Sequence, residues 1–161
     1  PLMDFTWQYV EKWAHERPDA EALVYGDRRL TWRETAAEMN ACAKALLASG
    51  VRRGDRVAML AMARPEFIVT FMAANKIGAC WLGLSPKFPA NELAYMFGDC
   101  QPQVLFSLGK YLEYDVAAAV EEAAKAAPIP HIVALDAGFG TAPAYDAWLA
   151  RGASISDAAL A

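Results

Sequence analysis

The groups in this sequence that could do chemistry are two imidazoles (His15, His131), three thiols (Cys42, Cys80, Cys100) and a scatter of lysines and carboxylates. None stands at a spacing that defines a reaction. A nucleophilic serine would need a Gly-x-Ser-x-Gly elbow, which does not occur. Lys110 follows Gly109, but a phosphate loop of the form Gly-x-x-x-x-Gly-Lys-Ser/Thr requires glycine at position 104 and Ser/Thr at 111, where Val104 and Tyr111 stand. Gly138-Phe139-Gly140 falls between an apolar run and a helical segment, as a dinucleotide fingerprint would, yet Pro143 occupies the third glycine's place. The histidines and cysteines never gather at metal-ligand spacing. His15, beside Glu16 and Arg17, reads as part of a solvated helix face, and His131, after Pro130, as a structural residue at a strand edge. The three cysteines, odd in number and widely spaced, read as buried thiols in a reducing cytosol.

The elements that must position such groups follow from composition and pattern. With 161 residues, 56% hydrophobic and 21% charged, the chain is the size of one domain and too apolar for disorder. Fifteen basic against 19 acidic side chains leave a net charge of −4, and no Lys/Arg run exceeds a pair, which argues against nucleic acid as a partner. Residues 57–84 are apolar, but Arg64-Pro65-Glu66 and Asn75-Lys76 cut them into pieces shorter than the ~20 residues of a membrane span, and residues 1–7 carry no secretory signal. Cytoplasmic residence is the expectation.

Trp7, Val10 and Trp13 recur at helical spacing over residues 5–15. Residues 22–25 and 28–31 flank Gly26-Asp27, a type II′ hairpin signal. Thr31-Trp32-Arg33-Glu34 has the form of a capping box, predicting a helix over 32–49 closed by Gly50. From there apolar runs at 57–61, 80–84, 104–107 and 131–135 alternate with helical segments at 65–77, 91–98, 111–127 and 145–150. Trp32 and Trp81 read as core residues. The pattern predicts an α/β fold in which an N-terminal β-hairpin is followed by β-α repeats, forming a mostly parallel sheet with helices on both faces. Ligands bind outside the carboxyl ends of such strands, so Arg64, Ser85, Lys87, Ser107, Lys110 and Asp136 are candidates by position, each equally readable as a solvated loop residue or helix-start donor. The stretch after Gly152 shows no periodicity.

Several segments carry a resemblance in their order. They are Trp13-Ala14-His15-Glu16-Arg17-Pro18-Asp19-Ala20-Glu21-Ala22-Leu23-Val24-Tyr25, Leu30-Thr31-Trp32-Arg33-Glu34, and the run from Leu46 through Gly50-Val51-Arg52-Arg53-Gly54-Asp55-Arg56-Val57. Lys76-Ile77-Gly78-Ala79, Pro86 through Glu92-Leu93-Ala94-Tyr95 and Asp99-Cys100-Gln101-Pro102 continue the series. Over residues 13–107 this resembles the N-terminal region of the adenylate-forming (AMP-binding) superfamily, most like acyl-CoA synthetases and fatty-acid-CoA ligases.

The resemblance implies an enzyme that activates a carboxylic acid, fatty or aromatic, with Mg-ATP to an acyl-adenylate and transfers it to coenzyme A. It implies residues 1–152 as the N-terminal subdomain of such a ligase and 153–161 as a cut edge or linker towards a phosphate-loop region. The family's Ser/Thr/Gly-rich loop ending in Lys, its aromatic-Thr-Glu segment, its ribose-binding Asp and its C-terminal lysine have no counterpart among these residues. The expectation is therefore a fragment with no catalytic residue and no metal ligand, inactive alone and binding no cofactor. Its parent would use ATP, Mg and coenzyme A, meeting acid and coenzyme A through the remainder. Gly83, Lys87, Ser107 and Lys110 are carried as candidates for the coenzyme A side. Exposed apolar surface on such a fragment would be covered by self-association into a homodimer. Two other readings stay open: an amino-acid adenylation domain of a peptide synthetase, which Pro86 and Met96 favour and Ser85, Phe88 and Glu92 do not, and a freestanding non-catalytic α/β binding module.

Overall fold

A computed structural model describes residues 2–160; Pro1 and Ala161, the outer ends of the segments expected at 1–152 and 153–161, lie outside the described residues. Helix α1 (Thr6–Glu16) leads into a hairpin of β1 (Glu21–Tyr25) and β2 (Arg28–Thr31). Gly26 turns it with a φ of +57°, the left-handed region that the first loop position of this hairpin demands. Helix α2 (Trp32–Ala48) opens on the expected capping box: the Thr31 hydroxyl accepts from the Glu34 N–H at 3.2 Å, and the Glu34 carboxylate accepts from the Thr31 N–H at 2.8 Å.

Then the alternation begins: β3 (Arg56–Leu60), α3 (Pro65–Lys76), β4 (Cys80–Leu84), α4 (Ala90–Cys100) and β5 (Val104–Ser107). A small antiparallel pair, β6 (Lys110–Tyr111) and β7 (Tyr114–Asp115), precedes α5 (Val116–Ala126), β8 (His131–Ala134) and α6 (Tyr145–Leu149). Among the described residues β4, β3, β5 and β8 pair in that order, all parallel, with Leu60 level with Leu84 on one side and Ser107 on the other. Because side chains alternate across a strand, each strand feeds two cores. Val57, Met59, Val104, Phe106 and Val133 face a core built with α1, α2, α3 and α6. Ala58, Leu60, Leu105 and Ala134 face the other, built with α4 and α5. The expected fold class is the observed one. No helix among the described residues is long and apolar enough to cross a membrane.

Four local expectations need correction. The helix expected over 111–127 starts at Val116, because Tyr111 and Tyr114 pair across a turn in which Leu112 takes a φ of +53°, and Asp115 caps the helix by accepting from the Ala118 N–H at 2.9 Å. Helix α4 runs past Gly98 and ends at Gln101, which adopts the left-handed cap conformation (φ +46°) before Pro102. The cysteines are not uniformly buried: Cys42 is, Cys100 is half-buried, and Cys80, at the start of the edge strand β4, is exposed. The stretch read as lacking periodicity forms two 3₁₀ turns, Ala150–Ser154 and Asp157–Leu160. The first lies on α2 so closely that a Cβ on Gly152 would sit 2.7 Å from the Ala45 nitrogen, and the Lys44–Asp157 ion pair (2.7 Å) ties down the second.

Candidate functional site

After β3 the chain crosses to β4 on one side, and after β5 it crosses to β8 on the other, so the loops leaving β3 and β5 part from neighbouring strands. In an open parallel sheet this point of divergence, at the carboxyl ends, is where a crevice forms. The rim consists of the loops after β3, β4, β5 and β8, and all six residues singled out by position lie on it.

They do different things there. Arg64 is the N-cap of α3 and donates from Nε to Glu66 Oε2 at 2.7 Å. The Ser85 hydroxyl accepts from the Lys87 N–H at 3.3 Å, shaping the loop into α4. Ser107 is fully buried, and its hydroxyl donates to the Leu108 carbonyl at 2.8 Å. Asp136 is a staple: one carboxylate oxygen accepts from the N–H of Gly109 (2.8 Å) and of Gly138 (2.9 Å), joining the loops after β5 and β8. Those loops approach so closely that a Cβ on Gly109 would lie 2.1 Å from the Gly138 backbone. Gly83 sits on edge strand β4, where a Cβ would come within 3.1 Å of the Trp81 indole; that ring stacks edge-on against Phe67 and donates to Thr70 Oγ1.

Of the four coenzyme A-side candidates, two are exposed near the β6–β7 hairpin, one beside its Tyr111 ring and one on its first strand. Lys87 is exposed and its Nζ lies 5.7 Å from the Tyr111 ring, whose neighbour in sequence is the exposed Lys110. Tyr114 donates to the Phe88 carbonyl at 3.2 Å, fastening the β6–β7 hairpin to the loop after β4. The Lys87 ammonium beside the Tyr111 ring can attract an anion, whereas the Lys110 ammonium pairs with Glu113 at 3.8 Å. Gly83 on β4 and Ser107 at the end of β5 lie on opposite sides of β3, and Ser107 is buried. Among the described residues no three of His, Cys, Asp and Glu stand where they could hold a metal ion.

The same rim holds a charged group that the sequence did not signal. A cleft of about 550 Å³ beside the carboxyl end of β8 is lined by Arg28, Arg64, Glu66, Tyr145 and Asp146 among others. Glu66, nearly fully buried, takes hydrogen bonds from Arg64 and from Arg28 of the hairpin; Arg28 also reaches Glu38 of α2 at 3.3 Å. Burial alone would raise the Glu66 carboxyl, but the two guanidinium hydrogen bonds outweigh it and hold the group below its ordinary value. Partners 38 residues apart leave no local pattern; the only trace in sequence is a carboxylate in the first turn of an otherwise apolar helix, Pro65-Glu66-Phe67-Ile68-Val69.

Comparison with known proteins agrees with this architecture. Tyrocidine synthase 2 of Brevibacillus parabrevis is 35% identical over 98 residues, 61% of this chain and 3% of that protein. An anthranilate CoA ligase, solved in complex with anthranoyl-AMP, superposes with a TM-score of 0.80 at 26% identity, covering 93% of this chain and 28% of the ligase. The fatty acyl CoA synthetase of Mycobacterium tuberculosis superposes with a TM-score of 0.69 at 26% identity, covering 92% of this chain and 28% of the synthetase. The chain thus spans a small part of the length of these relatives. Residues 10–152 match the family described as AMP-binding enzyme, and with most of its length so matched the chain belongs to that family.

Proposed function

We propose that this chain is the scaffold of an acid–thiol ligase that activates a fatty or aromatic carboxylic acid with ATP and passes the acyl group to coenzyme A. The observation that carries the reading is the superposition on CoA ligases at sequence identities above 25% over nearly the whole chain. In this reaction a carboxylate oxygen attacks the α-phosphorus of ATP and the bond to pyrophosphate breaks. The thiol of coenzyme A then attacks the acyl carbon of the adenylate, its proton passes to solvent and AMP leaves. Bound Mg would neutralise phosphate charge during the first step. Residues 1–152 act as the N-terminal subdomain and 153–161 lead towards the phosphate-loop region. The enzyme works in the cytoplasm, and side chains such as Val24, Tyr25 and Met62, exposed here, are covered in the parent or in a homodimer.

Lys87 and Lys110 supply positive charge to the phosphates of coenzyme A, while Gly83 and Ser107 shape the rim from beneath. The 161 residues alone do not adenylate. The gene is expected to read on past codon 161 into a Ser/Thr/Gly-rich loop ending in Lys. Its product should then exchange pyrophosphate into ATP with fatty or aromatic acids, and Lys87→Ala with Lys110→Ala should raise KM for coenzyme A while leaving that exchange unchanged. Exchange by the 161 residues alone would overturn the proposed inactivity. Exchange dependent on amino acids instead would favour a peptide-synthetase adenylation domain, the reading supported by the likeness to tyrocidine synthase 2. A stop codon at that point would favour a freestanding binding module.

A further inference from the structure

The β6–β7 hairpin is fastened at two places, and the fastenings differ in kind. Near its tip the Tyr114 hydroxyl donates to the Phe88 carbonyl at 3.2 Å, a neutral contact open to solvent. At its root stands Gly109, buried, the residue before β6, and both polar groups of that residue are used. The Gly109 N–H donates to Asp136 Oδ1 at 2.8 Å, and the Gly109 carbonyl accepts from the Ala117 N–H of α5 at 2.9 Å. The same Asp136 oxygen accepts from the Gly138 N–H at 2.9 Å, and hydrogen bonds to an ionised carboxylate are stronger than neutral ones. The residues leading to Gly109 are fixed as well: the Leu108 N–H donates to the Leu60 carbonyl at 3.1 Å, and the Ser107 carbonyl accepts from the Leu135 N–H at 2.9 Å. Strands of two residues each cannot hold a hairpin in place by their own pairing, so its position is inherited from the root.

We propose that Asp136 is a positioning residue for the rim: by holding Gly109 it sets where the β6–β7 hairpin stands, and so where Lys110 lies and where the Tyr111 ring meets Lys87. The inference rests on the reading of Lys87 and Lys110 as groups that serve the phosphates of coenzyme A. Asp136 touches no ligand in that reading; it acts from the loop after β8, 27 residues along the chain, through a single glycine. The approach of the two loops makes this possible, because a Cβ on Gly109 would lie 2.1 Å from the Gly138 backbone. Backbone meets backbone there, and one carboxylate oxygen reaches both N–H groups at once. Lys110 travels with the hairpin together with its exposed partner Glu113. Without the Asp136 oxygen the root keeps only the Ala117 bond and the tip only the Tyr114–Phe88 contact, and a displacement of about 1 Å is enough to misplace a binding group.

The test compares Asp136→Ala, which removes the acceptor, with Asp136→Asn, which keeps an oxygen in its place. In the 161-residue chain the amides of residues 110–115 should exchange about threefold faster or more in Asp136→Ala while those of β3 and β4 keep the wild-type rates, and Asp136→Asn should stay near the wild type. In the full-length product of the gene, Asp136→Ala should raise KM for coenzyme A about threefold or more with a smaller change in kcat, a split that loss of folded enzyme does not produce. Unchanged hairpin amides in Asp136→Ala would overturn the proposal. So would a wild-type KM in Asp136→Ala where Lys87→Ala with Lys110→Ala raises it. A loosened hairpin with KM unmoved in both variants would support Asp136 as the residue that sets the hairpin and overturn the coenzyme A reading. If neither Asp136→Ala nor Asp136→Ser folds, Asp136 is a residue of the fold and the positioning role is overturned.

Discussion

Trp148 shows how a single polar atom can be committed inside an apolar core. Its ring is fully buried, edge-on to Phe106 at 4.9 Å and stacked with Tyr145, and its Nε1 donates to the Ser49 hydroxyl at 3.1 Å. Ser49→Ala removes the acceptor and leaves the indole N–H unpaired in a place water does not reach, so it should cost about 1–3 kcal/mol in a denaturant titration. Glu66 poses the ionic counterpart. Its carboxyl is held below the ordinary value, so the stability it contributes is complete above pH 4.5 and is lost as pH falls through the lower folded value. Glu38 is raised, so its contribution has the opposite sign: complete below its ordinary value and lost as pH climbs through the folded one. Removing one partner of a buried pair costs about 3–5 kcal/mol, and since Arg28 remains 40% exposed and can be resolvated, Glu66→Ala should cost roughly half that near neutral pH and much less in acid. Melting curves at several pH values would show a difference between wild type and variant that narrows as pH drops.

At the scale of elements, stop signals decide where sequence reading succeeds. The helix ending before Gly50 was legible because Gly50 supplies a φ of +86° at no steric cost. The end of α4 was not, because Gln101 does the same work at φ +46°, and a residue with a Cβ gives no hint of a left-handed cap. Gln101→Gly should therefore stabilise the protein by about 0.5–1 kcal/mol, read as a rise in unfolding midpoint at unchanged slope; a fall would mean the side chain contributes more than the cap costs. The capping box at Thr31, the hairpin at Gly26 and the four parallel strands were all legible, since each is written in contiguous residues. The β6–β7 pair was not, since two-residue strands carry no periodicity. The rim was legible as a set of positions after strands, but which of them do something else was hidden. The staple role of Asp136 and the burial of Ser107 depend on loops meeting in space, as does the Arg28–Glu66–Glu38 group.

For the whole molecule, the feature with the longest reach is the sheet sandwiched between two cores. Central strands β3 and β5 are covered on both faces and paired on both edges, whereas β4 presents one edge that no described strand pairs. The three cysteines grade this enclosure. Cys80 lies exposed on the open strand, Cys100 is half-buried at the end of α4, and Cys42 is shut inside α2's packed face, where burial drives its thiol far above the ordinary range. Burial also raises Cys100, to a lesser extent. Because the thiolate is the form that reacts, these sulfurs make a built-in clock with three hands. Under native conditions an alkylating reagent should mark Cys80 first and Cys100 more slowly. Cys42 should be marked only as often as the packed layer between α2 and the sheet comes apart, so mass spectrometry of the alkylated protein would time the opening of the domain from its rim to its centre.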